Sequence, residues 1–283
     1  MRSKIVKFFL IALAVVAVER FCHWQTDGFR LAKVSVQRTH PFEYPADFPP
    51  ASIEQKFTFL GSGTQAYAFL GEDGETILKL FKQYHGNFST DLIAALPETI
   101  GKTFLEKRDR RLGHILGSAQ IAAEMLPEGT GVIYAHLAQT EMGLGTIEII
   151  DKLGMSRSLD LDNTLFVLQK RAELVPDRLH RLFSIGQVQE AVKQMKSLVH
   201  LIESRSMQGI KNKDGNVLRN SGFLGDQPVE IDVGSYTHRN KSTHPNPHKK
   251  TAEKASLKLL AWVEKHFPEL RKECPESLYE KDS

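Results

Sequence analysis

Four features of the chain are suited to phosphate chemistry, and they occur in a fixed order. A glycine turn lies at 60–66, a lysine follows an apolar run at Lys79, and two acids come later, Asp214 and Asp232. Backbone N–H groups of a glycine turn and a lysine ammonium can hold phosphate oxygens. Carboxylates can bind Mg²⁺ or accept the proton of an attacking hydroxyl. The order and the spacing together indicate a site that holds a nucleoside triphosphate and moves its terminal phosphate.

The acid with the most specific setting is Asp232. The apolar run 228–232 predicts a strand, and Asp232 at its end is followed by Val233 and Gly234. An acid at this place can bind a Mg²⁺ ion that bridges phosphates, and the glycine lets the chain turn sharply away. The alternative is a strand-end acid that only caps a turn.

These motifs resemble those of the protein-kinase-like superfamily, in a small and divergent bacterial form. The segment 209–214 (Gly-Ile-Lys-Asn-Lys-Asp) is similar to the Gly-Ile-x-His-Arg-Asp loop of kinases, and Asp-Val-Gly at 232–234 resembles their Asp-Phe-Gly segment. The resemblance covers about 57–234. It implies that Asp214 accepts the substrate hydroxyl proton and that Asp232 binds Mg²⁺. For Asp214, the alternative is a polar loop acid before a turn.

The same resemblance assigns the residues of the glycine turn and the next strand. Gly61, Gly63 and Ala66 stand where kinases have the glycines of the phosphate-binding loop, and Lys79 matches the strand lysine that contacts phosphates. An ordinary hairpin tip is the alternative for the glycines. A helix glutamate is expected to pair with Lys79, and we choose Glu124 over Glu106, because Glu124 follows apolar residues.

A metal-binding amide is expected after the loop acid. Kinases have Asn five positions after that Asp, but here this position is Arg219. Asn220 comes one residue later and Asn216 comes earlier. Either amide oxygen could bind a divalent ion; we prefer Asn220, with one inserted residue, since Asn216 is explained as a turn residue after Gly215.

The chain departs from the family at two further points. Asn212 and Lys213 stand where kinases have His and Arg, and no Ala-Pro-Glu segment follows Gly234. These departures weaken the expectation of a protein substrate. They also leave open a catalytically inactive, pseudokinase-like protein that uses the fold to bind a partner.

The elements that position these residues follow from the hydrophobic pattern. Alternating or apolar runs predict strands at 56–60, 66–71, 76–81, 131–137, 146–151, 164–169 and 228–232. Helical spacing predicts helices at 102–126, 176–206 and 251–267. The fold class is therefore α+β. With the resemblance, it is a two-lobed protein-kinase-like fold, in which an antiparallel N-lobe sheet and one major helix precede a reduced, mainly helical C-lobe.

The N-terminal segment predicts either attachment to a membrane or export. Basic Arg2, Lys4 and Lys7 precede the uncharged run 8–18. This pattern is typical of a signal anchor or a signal peptide within 1–24, and we favour a single-pass anchor over export after cleavage. The run of about 14 residues from Ile5 is shorter than the roughly 20 that span a bilayer comfortably, and a buried helix is a third interpretation.

The predicted organisation is an anchor at 1–24, a linker at 25–56, an N-lobe at 57–171 and a C-lobe at 172–283. The 283 residues, 41% of them hydrophobic, suffice for such a core, and a net charge of +3 is too weak to predict nucleic-acid binding. The two cysteines predict neither a disulfide framework nor a metal site.

Three functions follow from these observations. The first is a membrane-tethered, Mg-ATP-dependent transferase with an unknown protein or small-molecule acceptor. The second is an inactive membrane-associated binding module of the same fold, and the third is an unrelated exported envelope protein. The positive-inside rule places the main domain outside the cytoplasm, where it would meet little ATP, and this conflicts with the first function. The sequence therefore leaves enzyme activity undecided.

Overall fold

The protein is described by a computed structural model over residues 2–36, 40–45, 47–83, 97–238 and 246–279. The chain forms two compact units. Unit 1 comprises Met1–Leu112 and His136–Leu168, and unit 2 comprises Gly113–Ala135 and Gln169–Ser283. The predicted lobe limits of 57–171 and 172–283 remain a prediction, but unit 2 also takes 113–135 from within the predicted N-lobe.

The main sheet has seven strands in the order β4-β7-β3-β2-β1-β5-β6. The strands are β1 (Phe57–Ser62), β2 (Ala66–Gly71), β3 (Thr76–Phe81), β4 (Val132–His136), β5 (Thr146–Ile150), β6 (Ser156–Asp160) and β7 (Phe166–Lys170). Strands β1, β2 and β3 pair in antiparallel sequence. Strand β1 pairs with β5 in parallel, so the sheet predicted as mostly antiparallel contains a parallel pair. A parallel pair needs a long connection, and here more than eighty residues separate the two strands.

The turn between β2 and β3 explains why these two strands match their predicted limits. Asp73 Oδ1 accepts the backbone N–H groups of Glu75 and Thr76, each at 2.9 Å. Gly74 has a φ of +71°, which glycine adopts without steric cost. The Asp-Gly pair thus provides both the bonds and the backbone conformation of a tight hairpin.

The core of unit 1 lies on one side of the hairpin. Alternate residues of β2 are buried, as strand periodicity requires, and Tyr67 and Phe69 lie on the buried face. Phe29 packs edge-on against both rings, with centroid distances of 5.2 and 5.4 Å. The segment 25–56, predicted as a linker, therefore contributes to this core.

Helix α1 spans Arg2–Thr26. Large apolar side chains from Leu10 onward are exposed, among them Leu13, Val16, Phe21 and Trp24. Within the described part of the chain, no helix has both the length and the apolar character that crossing a membrane requires.

Unit 2 is built on helices. They are the second half of α2 (Glu98–Met125), the one-turn α3 (Pro127–Thr130), α4 (Val175–Ser184), α5 (Val188–Met207) and α6 (Pro247–His266). Apolar residues of α5 recur at helical spacing, and Met195, Leu198 and Ile202 join Leu259 and Val263 of α6 in one buried cluster. The predicted single helix at 176–206 is two helices, because Gly186 adopts a φ of +73° between them.

Two small sheets complete unit 2. Strands β8 (Glu173–Leu174), β10 (Ser221–Leu224) and β11 (Gln227–Glu230) form one of them, and β9 (Ile210–Asn212) pairs with β12 (Tyr236–His238) in the other. Strand β11 ends at Glu230, so Asp232 lies two residues beyond the strand rather than at its end. The pairing of β9 with β12 joins the segment before Asp214 to the segment after Asp232.

Candidate functional site

The glycine turn of unit 1 leaves open space above its backbone. Gly63 donates its N–H to Ala66 O at 2.9 Å, which closes the turn between β1 and β2. A Cβ at Gly61 would meet nothing within 4 Å among the described residues, and one at Gly63 would meet only Ala66 O at 3.6 Å. Neither glycine has a positive φ. Gly61 lies where the β1-β2 register shifts, as at a β-bulge, and the lack of a side chain at both glycines leaves their backbone open to close approach of a ligand.

Lys79 is placed by strand register. Gly61 of β1 lies opposite Ala68 of β2, and Ala68 lies opposite Lys79 of β3. Residues directly opposite in antiparallel strands project to the same face of the sheet. The half-buried Lys79 therefore shares a face with Gly61, one strand removed, and the small Ala68 lies between them.

A second lysine, Lys82, bonds to the glycine turn and was not predicted. Its Nζ donates to Ser62 Oγ at 2.9 Å and to Gly63 O at 2.6 Å, and it lies 4.1 Å from the centroid of the Tyr67 ring. Burial, with the nearby Lys33 ammonium, lowers the pKa of Lys82 to about 8, against a smaller opposite effect of Asp27. The sequence signal was only a lysine at the end of an apolar strand.

In unit 2, Asn220 connects the two predicted acids. Its Nδ2 donates to Asp214 O at 3.1 Å, and its backbone O accepts the N–H of Ile231, the neighbour of Asp232, at 2.8 Å. Asn216 instead accepts the Asn220 N–H through its backbone O at 2.9 Å, as a turn residue does. The predicted loop acid, amide and second acid therefore belong to one hydrogen-bonded segment, and the choice of Asn220 over Asn216 as metal ligand stays a prediction.

Asp214 lies on the surface of this segment. Its side chain is exposed, and its backbone N–H donates to Asn212 Oδ1 at 3.0 Å. The bonds from Asn212 and Asn220 hold the backbone on both sides of the residue. An exposed carboxylate on a fixed backbone is suited to meet a substrate hydroxyl.

Asp232 is half-buried, and three hydrogen bonds fix the turn that follows it. Asp232 Oδ1 accepts the N–H of Gly234 at 3.1 Å. The buried Ser118 of α2 donates its hydroxyl to Val233 O and accepts the N–H of Tyr236, both at 2.6 Å. Ser118, which sequence reasoning missed, therefore holds the turn that follows the acid.

Glu124 is exposed on α2, where its Oε1 accepts a hydrogen bond from Gln120 Nε2 at 3.1 Å. It lines a pocket of about 370 Å³ that also includes His114, Ser118 and Thr237. The predicted pairing of Glu124 with Lys79 stays a prediction.

The oxygen donors of unit 2 fit a magnesium ion whose remaining coordination positions would be filled by phosphate oxygens and water. Asp232 offers a carboxylate and Asn220 an amide oxygen, whose nitrogen is already committed to Asp214. Mg²⁺ typically binds one or two carboxylates together with phosphate oxygens and water rather than a full protein cage. Among the described residues, no group of three or more His, Cys, Asp or Glu that could hold a metal occurs.

Comparison with known proteins gives structural similarity only. No family model and no curated protein matches the chain. Among solved structures, the bifunctional kinase-methyltransferase WbdD is 14% identical with a TM-score of 0.37, and the match covers 77% of this chain and 45% of WbdD. The ROP18 kinase domain is 18% identical with a TM-score of 0.37, covering 66% and 52%. The Lpg2603 kinase of Legionella pneumophila is 10% identical with a TM-score of 0.30, covering 73% and 58%.

The chain spans less than two thirds of the length of each of these structures. Their TM-scores are low, and the class of protein rests on the strand order and the bonded geometry of this chain itself. The chain has an α+β architecture with the β1-β2-β3 meander, a lysine on β3 and linked segments around Asp214 and Asp232, and this agrees with the kinase-like fold that the sequence resemblance implies.

Proposed function

We propose that the chain is a kinase-like transferase that uses Mg-ATP to phosphorylate an unknown acceptor. Asp214 would accept the proton of the acceptor hydroxyl, and Asp232 and Asn220 would bind Mg²⁺. When bound, the ion would neutralise charge on the phosphates. Gly61, Gly63 and Ala66 would lie over the phosphates, and Lys79 would contact them.

The observation that carries this proposal is the position of Asn220. One residue bonds to the backbone of Asp214 through its side chain and to Ile231 through its own carbonyl. The bond to Ile231 extends the β10-β11 pairing, in which Ser221 lies opposite Glu230, so this hairpin brings the amide next to the segment of the second acid. The open space above Gly61 and Gly63 supports a ligand at the glycine turn independently.

Turnover by the full chain tests the proposal. Purified protein is incubated with ATP and Mg²⁺, and ADP formation is measured for the wild type, Asp214→Ala and Asp232→Ala. Asp226→Ala is a matched control, because Asp226 is a carboxylate of the same unit with a side chain 78% exposed, bonded to Arg178. Wild-type turnover that both site variants lose and the control keeps is the expected result. Equal ADP formation by all four proteins would contradict the proposal.

A nucleotide-binding module without turnover is the second candidate. The observation that favours it is the pair Asn212-Lys213, which stands where kinases have His and Arg. The Nζ atom of Lys213 lies 3.0 Å from His114 Nε2 and so contacts α2. This candidate predicts stabilisation by Mg-ATP without ADP formation. The third function, an unrelated envelope protein, predicts neither result.

We further propose that α1 attaches the protein to a membrane, supported by its exposed apolar side chains from Leu10 onward. Co-sedimentation of the full chain with lipid vesicles tests this. Replacing Leu13 and Val16 by Asp should prevent sedimentation, since each buried apolar side chain adds to membrane affinity. The same double substitution should leave nucleotide binding unchanged, and sedimentation that persists would contradict the attachment.

A further inference from the structure

A buried ion pair lies beside the proposed metal-binding segment. Arg205, near the end of α5, donates from Nε to Glu230 Oε2 at 2.6 Å, and their side chains are only 4% and 8% exposed. Burial of two charges requires good geometry and further hydrogen bonds to satisfy the remaining polar atoms. Both conditions are met here, and the further bonds lead directly to the site.

The remaining polar atoms of the pair bind the segment that carries Asp214. Arg205 Nη1 donates to Ile210 O at 2.8 Å, and Asn212 Nδ2 donates to Glu230 Oε1 at 3.1 Å. Asn212 in turn accepts the backbone N–H of Asp214 through its Oδ1. A continuous chain of hydrogen bonds therefore runs from Arg205 through Glu230 and Asn212 to the backbone of Asp214.

The same pair fixes the segment that carries Asp232. Glu230 is two residues before Asp232 and closes β11. The Arg205 guanidinium also lies 5.9 Å from the ring centroid of Tyr236, four residues after Asp232. Tyr236 pairs with Asn212 across β9 and β12, and its burial, with the Glu230 carboxylate, raises the pKa of its hydroxyl well above the usual value. The ion pair thus includes Glu230, before Asp232, and lies beside Tyr236, after it.

We infer that Arg205, Glu230 and Asn212 are positioning residues that hold the Asp214 and Asp232 segments in one arrangement for Mg²⁺ and the acceptor. None of the three need touch substrate or metal. The inference rests on the proposed function, and it explains how Asn212 can replace the expected histidine: its amide donates to Glu230 and accepts from Asp214 at the same time.

Magnesium titration separates positioning from general stability. The full chain is melted with ATP at increasing Mg²⁺, and the Mg²⁺ concentration that gives half of the nucleotide-dependent rise in Tm is measured. Loss of residues that orient a ligand typically weakens metal affinity by about 10–100-fold. We expect a rise of at least about tenfold in this concentration for Asn212→Ala and for Glu230→Gln.

A less buried carboxylate elsewhere in unit 2, which is paired with two arginines, provides the control. Glu173 accepts bonds from Arg178 Nη1 and Arg181 Nη2, both at 3.0 Å. Glu173→Gln should lower Tm without changing the Mg²⁺ concentration at half-effect. If Asn212→Ala and Glu230→Gln change only Tm, as Glu173→Gln does, the positioning role is refuted. If Glu230→Gln does not fold, Asn212→Ala alone decides the test, because this variant leaves the Arg205–Glu230 ion pair intact.

Hydrogen exchange of the unliganded protein tests the inference apart from nucleotide binding. Asn212→Ala should increase exchange at the amides of Asp214, Ile231 and Gly234 by tenfold or more, relative to amides of α6. Unchanged exchange at all three amides would overturn the positioning role. If the wild type shows no Mg-dependent rise in Tm, the proposed function fails, while the exchange result still decides whether these residues hold the segment.

Discussion

The two regions that carry the predicted residues are built by different means. In unit 1, Lys79 and Gly61 are aligned by the register of three neighbouring strands, and Lys82 bonds to the turn from its own strand end. In unit 2, Asp214 and Asp232 are held by side chains distant in sequence, with a buried ion pair at the centre. The first region depends on local backbone pairing, and the second depends on a specific side-chain network.

The difference predicts which substitutions each region tolerates. Strand register survives the loss of single side chains, and the open face above the glycines can change without affecting packing. A buried polar network loses several satisfied groups when one member is removed. Unit 2 should therefore lose both stability and site geometry together, whereas unit 1 should lose ligand binding with little change in stability.

The largest effect is expected from Asp214→Asn. A positioned general base contributes about 10²–10⁴-fold to a rate, and the amide cannot take the proton, so ADP formation with a competent acceptor should fall by that factor. Because the side chain is exposed and its bonds are made by its backbone, Tm and nucleotide binding should not change. Equal turnover for variant and wild type would remove Asp214 from the site and leave the network of unit 2 without its proposed purpose.

The largest effect on stability is expected from Arg205→Met. Breaking a buried ion pair leaves Glu230 charged and unpaired, which costs about 3–5 kcal/mol, and urea unfolding measures this change. The double variant Arg205→Met with Glu230→Leu should be less destabilised than the sum of the single variants, since no charge is left buried. Additive effects would mean that the two residues do not act as a pair.

The sequence predicts the locally paired strands of unit 1 better than the side-chain network of unit 2. Strands β2 and β3 match their predicted limits, because alternation, the Asp-Gly turn and the glycines are all local signals. The short strands β9, β10 and β12 were missed, since three or four residues carry too little periodicity. The Arg205–Glu230 pair joins residues 25 positions apart, which no spacing rule indicates. Its one available signal was a charged residue at helical spacing from Leu198 and Ile202 of the buried face.

A smaller effect is expected from Lys82 in unit 1, on the pH dependence of the free energy of unfolding. Its pKa is lowered from 10.5 to about 8 in the folded protein, so the unfolded chain binds more protons between these values. Stability from this group therefore rises with pH from about 8 to 10.5. The free energy of unfolding of the wild type, relative to Lys82→Met, should increase between pH 8 and pH 10. A difference that stays constant or falls over this interval would contradict the lowered pKa of Lys82.

The smallest stability effect is expected from Gly61→Ala. The added methyl group meets no described residue within 4 Å and φ is not positive, so the free energy of unfolding should change by less than about 0.5 kcal/mol. Gly74→Ala is the matched control; its φ of +71° should make the same change cost about 1 kcal/mol. If the space above Gly61 holds a ligand, Gly61→Ala alone should weaken nucleotide binding. Strong destabilisation by Gly61→Ala would mean that packing requires this glycine.

The most direct test of the central claim is a thermal melt of the full chain with and without Mg-ATP, for wild type and Asp232→Ala. At a nucleotide concentration ten times Kd, binding adds about 1.4 kcal/mol, which corresponds to a rise in Tm of about 3–6 °C. The account predicts this rise for the wild type, its dependence on Mg²⁺, and its loss in Asp232→Ala. No Mg-dependent rise in the wild type at millimolar nucleotide, or an equal rise in the variant, would contradict the assignment of a nucleotide and metal site around Asp232.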